Sequence, residues 1–179
     1  MLYMNRFLVC CIMFSFFVKM NSQNFPESLS EKFANQTGVL ISKEYIEMGF
    51  MDQIDFRFVK MKNLFTNETA SGLRLEYMPG NEIINSAKIA YIDSDEQDAL
   101  IKAIKILQVS VLNTKYSNQS DFTFRCRSGL VIGYFYDANK SKWQPFIQIN
   151  YKDPQSTIRV ENDSFAYLFK LLEDVKLKK

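Results

Sequence analysis

Leu73-Arg74-Leu75-Glu76-Tyr77 decides the fold. Leu73, Leu75 and Tyr77 fall on one side of an extended chain, Arg74 and Glu76 on the other. This is the alternation of a strand with one dry and one wet face, the mark of an antiparallel sheet. Parallel strands, covered by helices on both faces, would read as unbroken apolar runs instead.

Upstream, period two persists through Val39–Ile46 and Ile54–Lys62; downstream it resumes at Lys88–Ile92. Gly49–Gln53, Thr66–Gly72 and Pro79–Ser86 carry the Gly, Pro, Asn and Ser of turns. From Asp95 to Leu112 the period becomes helical, with Leu100, Ala103, Ile104, Leu107 and Val111 on one stripe. Strands return at Asp121–Arg127, Leu130–Tyr136, Trp143–Tyr151 and Thr157–Val160, where Pro145 predicts an edge strand or a start at Phe146. Asn162 or Asp163 caps a last helix with Phe165, Leu168, Phe169, Leu172 and Val175 inward. A short helix within residues 26–35 precedes it all, with Leu29 and Phe33 on one side.

The predicted order is α-ββββ-α-ββββ-α, an α+β domain of about eight strands, mostly antiparallel, with two main helices. At an offset of 68 residues Ile54–Arg57 falls on Phe122–Arg125, Ile92–Asp95 on Val160–Asp163 and Leu100–Lys102 on Leu168–Lys170. That pattern points to a duplicated ββββα unit whose helices cover one face of a long curved sheet.

The first 22 residues read as an address. Phe7–Val18 is twelve residues without a charge, too short for the roughly 20 of a membrane span and right for a signal peptide. Cleavage between Ser22 and Gln23 leaves residues 23–179 as a single domain with no span. Loss of Arg6 and Lys19 balances 20 cations against 20 anions, which gives no footing for nucleic acid. Cys126 becomes the one remaining thiol, so no internal disulfide forms. The location expected is secreted or periplasmic, in a bacterial envelope.

The chain has no histidine, which excludes Ser-His-Asp and Cys-His catalysis and any imidazole metal ligand. Asp93-Ser94-Asp95-Glu96-Gln97-Asp98 is the densest acidic run. It lacks the Gly and distal Glu of an EF-hand loop; Ser94 with Gln97, or Asp93 with Glu96, instead makes a capping box. Cys126, in phase with Phe122 and Phe124, reads as a small buried hydrophobe.

Arg57, Arg125 and Arg127, with Tyr134, Tyr136 and Trp143 near in sequence, make a candidate surface for an anionic or sugar-like ligand. The plainer expectation is a solvated face on which the arginines pair with Asp or Glu across strands. No metal and no cofactor is expected. The function expected is a non-enzymatic binding or interaction module, its partner an envelope protein, a glycan or a small ligand. The alternatives are a carboxylate-dependent glycan hydrolase built on the acidic run, and a carrier of a small apolar ligand.

Overall fold

The computed structural model describes residues 27–79 and 87–177; the expected signal peptide lies outside them. Helix α1 (Leu29–Ala34) precedes strands β1 (Ile41–Met51), β2 (Ile54–Asn63), β3 (Thr69–Tyr77) and β4 (Lys88–Asp93). Helix α2 (Gln97–Ile106) runs into a π-helical turn, Leu107–Val111. Strands β5 (Ser120–Arg125), β6 (Val131–Asp137), β7 (Lys142–Gln148) and β8 (Thr157–Arg159) follow, and helix α3 (Asn162–Lys176) closes the chain. The class and the order α-ββββ-α-ββββ-α agree with the sequence reading.

The eight strands divide into two sheets of four, each an antiparallel meander in sequence order. One long sheet does not form, because α2 and its π turn carry the chain away after Asp93. The β5–β6 turn then comes back against β4, where the Ser128 hydroxyl donates to the Tyr91 carbonyl at 2.6 Å. Lys88 pairs with Asp153 at 2.6 Å and adds a second tie. The two ββββα halves share an element order, but the 68-residue offset holds only at their ends. It lays β4 and α2 near β8 and α3, whereas β2 lands on β5 rather than on β6.

Leu73 and Leu75 are fully buried, and Arg74 and Glu76 turn to the other face. In β2 the apolar set changes sides partway along. Ile54, Phe56 and Phe58 enter the main core, while Val59 and Met61 pack with Phe33 of α1 on the opposite face. The first sheet is thus covered by α1 on one face and by the main core on the other. That core joins both sheets to Leu100, Ile104, Leu107 and Val111 of the α2 segment and to Phe165, Leu168, Leu171, Leu172 and Val175 of α3.

Pro145 is a correction. β7 lies between β6 and β8 and runs through the proline, which faces Tyr134. The missing N–H is tolerated because β8 pairs only as far as Phe146. The Pro145 carbonyl still accepts from Val160 N–H at 3.2 Å.

Candidate functional site

The acidic run becomes a junction. Asp93 is 1% exposed, yet its carboxylate accepts from Ser28 Oγ at 3.0 Å, Leu29 N–H at 2.8 Å and Ser30 N–H at 2.9 Å. It therefore caps α1 from more than sixty residues away, satisfying amides that a helix start leaves without partners. Arg127 adds its guanidinium to Asp93 at 3.0 Å, and also reaches Asp95 and Glu96. Glu96 accepts Arg127 N–H at 2.8 Å and Asp93 N–H at 3.4 Å. The second of these is half of the expected Asp93–Glu96 capping box, while the Asp93 side chain serves a different helix.

Beneath the junction Cys126 is 2% exposed, and burial together with Glu96 and Asp93 pushes its thiol pKa upward, away from a nucleophile's range. Burial also raises Glu96. Glu31 is lifted to about 7 by burial and by the charges of Asp93 and Glu27. Its folded-state proton is then held where the unfolded chain has released it, so stability falls as pH rises from about 4.5 to about 7. Glu31→Gln is expected to remove this slope, on the order of 1 kcal/mol for a partly exposed carboxyl. Urea midpoints of both proteins at pH 5 and pH 8 check it, and parallel pH profiles would refute it.

The three arginines separate. Arg127 sits in the turn beyond β5, bound into the junction. Arg57 lies on the face of the first sheet that carries its charges, 3.2 Å from Glu47, 2.5 Å from Asp55 and 3.9 Å from Glu76. Glu76 in turn takes Arg74 at 2.5 Å within β3, so ion pairs both along and across strands account for this face. Arg125 lies over the Tyr151 ring, 4.3 Å from its centroid. Tyr134 and Tyr136 are turned from Arg125 by register: Phe122 opposes Tyr134 and Arg125 opposes Val131, so arginine and tyrosines occupy opposite faces.

Tyr134, Tyr136 and Trp143 do come together. Trp143 is 4.9 Å from the Tyr136 ring, 5.5 Å from Tyr116 and 5.6 Å from Phe122, at tilted or edge-on angles. Its indole N–H donates to the Thr114 carbonyl at 3.1 Å, which ties the loop after the π turn to β7.

Around this tryptophan runs a cleft of two lobes, about 380 and 400 Å³, which share Lys142, Trp143 and Asn162. Gln108 and Leu112 from the π segment, Tyr134 and Ser141 line the first lobe. Gln144, Pro145, Arg159, Glu161 and Asp163 line the second.

Three features make the cleft receptive. Tyr134 is 2% exposed and lines the first lobe; burial pushes its pKa up to about 12. The first bond within α3 runs from Phe165 N–H to the Glu161 carbonyl, and no side chain caps the start. The amide N–H groups of Asn162, Asp163 and Ser164 thus have no intrahelical acceptor at the cleft rim. The third is the π turn, whose Leu112 N–H to Leu107 carbonyl bond at 3.1 Å spans five residues, a geometry concentrated at functional positions.

Gln108, Gln144, Asn162 and Arg159 were not among the sequence candidates. Gln108, Gln144 and Arg159 are polar residues that nothing in the local pattern marks; Asn162 is marked only as a cap of the last helix, a part that neither it nor Asp163 plays, since the cap position falls to Glu161 and no side chain caps it. The lone tryptophan was the one usable signal.

Among the described residues no group of three or more His, Cys, Asp or Glu is placed to hold a metal ion. Nor is any helix among them long and apolar enough to cross a membrane. No family model matches the chain, and neither the curated proteins nor the solved structures yield a match.

Proposed function

We propose that the protein is an exported, non-enzymatic binding module of the bacterial envelope, and that its ligand is a sugar ring or glycan end held in the Trp143 cleft. The cleft itself carries the reading. An indole face suits the C–H face of a sugar, and Gln108, Gln144 and Asn162 each offer both donor and acceptor to hydroxyls. Lys142 and Arg159 are matched by Glu161 and Asp163, which favours a neutral ligand over a polyanion.

Support for hydrolysis is weaker. Asp93, Asp95 and Glu96 are engaged with Arg127, so the shallow groove beside Ser94 and Asp95 meets carboxylates already committed. A retaining or inverting hydrolase needs two carboxyls free to flank the scissile bond. An apolar carrier needs a dry enclosure, and this cleft is open and lined by amides and charges.

The chain's single tryptophan makes the test direct. Titration with a panel of neutral soluble oligosaccharides is expected to change its fluorescence, and calorimetry is expected to show binding. Trp143→Ala is expected to weaken that binding at least tenfold, the effect of removing a central aromatic anchor. Absence of binding across the panel, or binding indifferent to the substitution, would overturn the reading. Export is checked separately, by finding Gln23 at the N-terminus of protein from the periplasmic or external fraction.

A further inference from the structure

β1 is the longest strand, at 11 residues, and it lies at the edge of its sheet with β2 as its one neighbour. The other sheet edges are short or partly covered. β8 has three residues, β5 has six, and β4 meets the Ser128 hydroxyl at Tyr91. The edge of β1 is closed only towards one end, where the chain bulges between Glu47 and Gly49 and the Tyr167 hydroxyl donates to the Met48 carbonyl at 3.3 Å. From Ile41 to Glu47 the register is regular and, among the described residues, the outward backbone groups have no strand beside them. An open edge of this kind is a template for another strand.

The side chains say which strand fits. Lys43, Tyr45 and Glu47 share one face of β1, exposed for Lys43, 48% exposed for Tyr45, with a Glu47 side chain 74% exposed. Their charges are complementary about Tyr45. We infer that β1 pairs antiparallel with β1 of a second copy of this chain, across a two-fold axis at Tyr45.

In that register Lys43 of each copy faces Glu47 of the other, and the two Tyr45 rings meet on the axis. Glu44 falls opposite Ile46, and the pairing ends at Lys43 and Glu47, because Met48 beyond lies in the bulge with its carbonyl taken by Tyr167. Shifting the axis to Glu44 sets two carboxylates directly against each other and leaves Lys43 facing Tyr45. Shifting it to Ile46 puts Lys43 against Gly49 in the bulge, where strand geometry fails. Cross-strand charge therefore selects one register, and the two-fold axis doubles its effect. The patch is small, so the dimer exchanges with monomer and is populated at high protein concentration. Arg57, 3.2 Å behind Glu47, keeps that carboxylate in place on the shared face.

Sedimentation equilibrium of the full chain, from micromolar to millimolar concentration, tests the pairing. The wild type is expected to dimerise. Lys43→Glu and Glu47→Lys alone are each expected to weaken the dimer by about 10- to 30-fold, since every changed contact occurs twice. The double variant is expected to bind more tightly than either single variant but short of the wild type, because the cross-strand pair is reversed while Arg57 now lies behind a lysine. Hydrogen exchange at high concentration is expected to slow at amides within Ile41–Glu47 and not at β5. A wild type that stays monomeric overturns the inference. So does a dimer indifferent to the single substitutions, which would assemble through another surface, and so does a double variant no better than the singles.

Discussion

Asp93→Ala is expected to lower the stability of the fold by about 3–4 kcal/mol, the range for removing one partner of a buried, hydrogen-bonded charge pair. The carboxylate is 1% exposed, and its loss takes away the acceptors of Ser28 Oγ, Leu29 N–H and Ser30 N–H together with one partner of Arg127. Helix α1 is six residues long and has little stability of its own, so its docking over Val59 and Met61 should fail with its cap. Asp95→Asn is the contrast. Its side chain is 57% exposed, and an exposed pair of this kind contributes about 0–1 kcal/mol. Urea denaturation of the three proteins measures the difference, and repeating it with calcium or manganese tests for a hidden ion site. Equal losses for the two aspartates would refute the capping role, and a metal-dependent shift in the wild type alone would revive a cation site.

Phe165→Ala is expected to cost about 3–5 kcal/mol, as for other large-to-small changes at fully buried aromatic positions. Phe165 is 0% exposed and its ring lies 4.7 Å from that of Tyr134, so it joins the start of α3 to the second sheet. Phe165→Leu keeps most of the volume and should cost under about 1.5 kcal/mol. The alanine variant should also blue- or red-shift tryptophan emission in the folded protein, because Tyr134 loses its backing beside the Trp143 cleft. A loss below about 1.5 kcal/mol for alanine would mean that this contact does not hold the helix.

Local pattern was enough for the elements. Alternation in Leu73–Tyr77 and the helical stripe from Leu100 to Val111 each specify a face, and these faces are the ones buried. The pattern could not show that the strands split into two sheets, since that depends on where α2 sends the chain. The change of sides within β2, between Phe58 and Val59, looks in sequence like an interruption of period two; it exists because α1 covers one end of the opposite face.

The candidate site was legible only in part. Tyr134, Tyr136 and Trp143 cluster because β6 and β7 are hairpin neighbours, with Tyr136 opposite Trp143. Arg125 is excluded by the length of the Cys126–Leu130 turn, which fixes the register of β5 on β6, and turn length sets parity in a way that single-strand alternation does not reveal. Arg127 has left the strand altogether, and its partners lie about thirty residues earlier in the chain. The uncapped start of α3 and the π turn are properties of backbone geometry with no residue signature here.

The meander topology has a kinetic consequence. Each strand pairs with the one just before it, so both sheets can assemble from contacts close in sequence, which favours rapid folding. A chain emerging N-terminus first can finish its first sheet before β5 exists. Two pieces must wait: α1, whose anchoring carboxylate arrives only with Asp93, and α3, whose fifteen residues close the shared core last. Until then the apolar faces of both sheets stand open, and that interval is when a chaperone would find the chain still unfolded enough to hold.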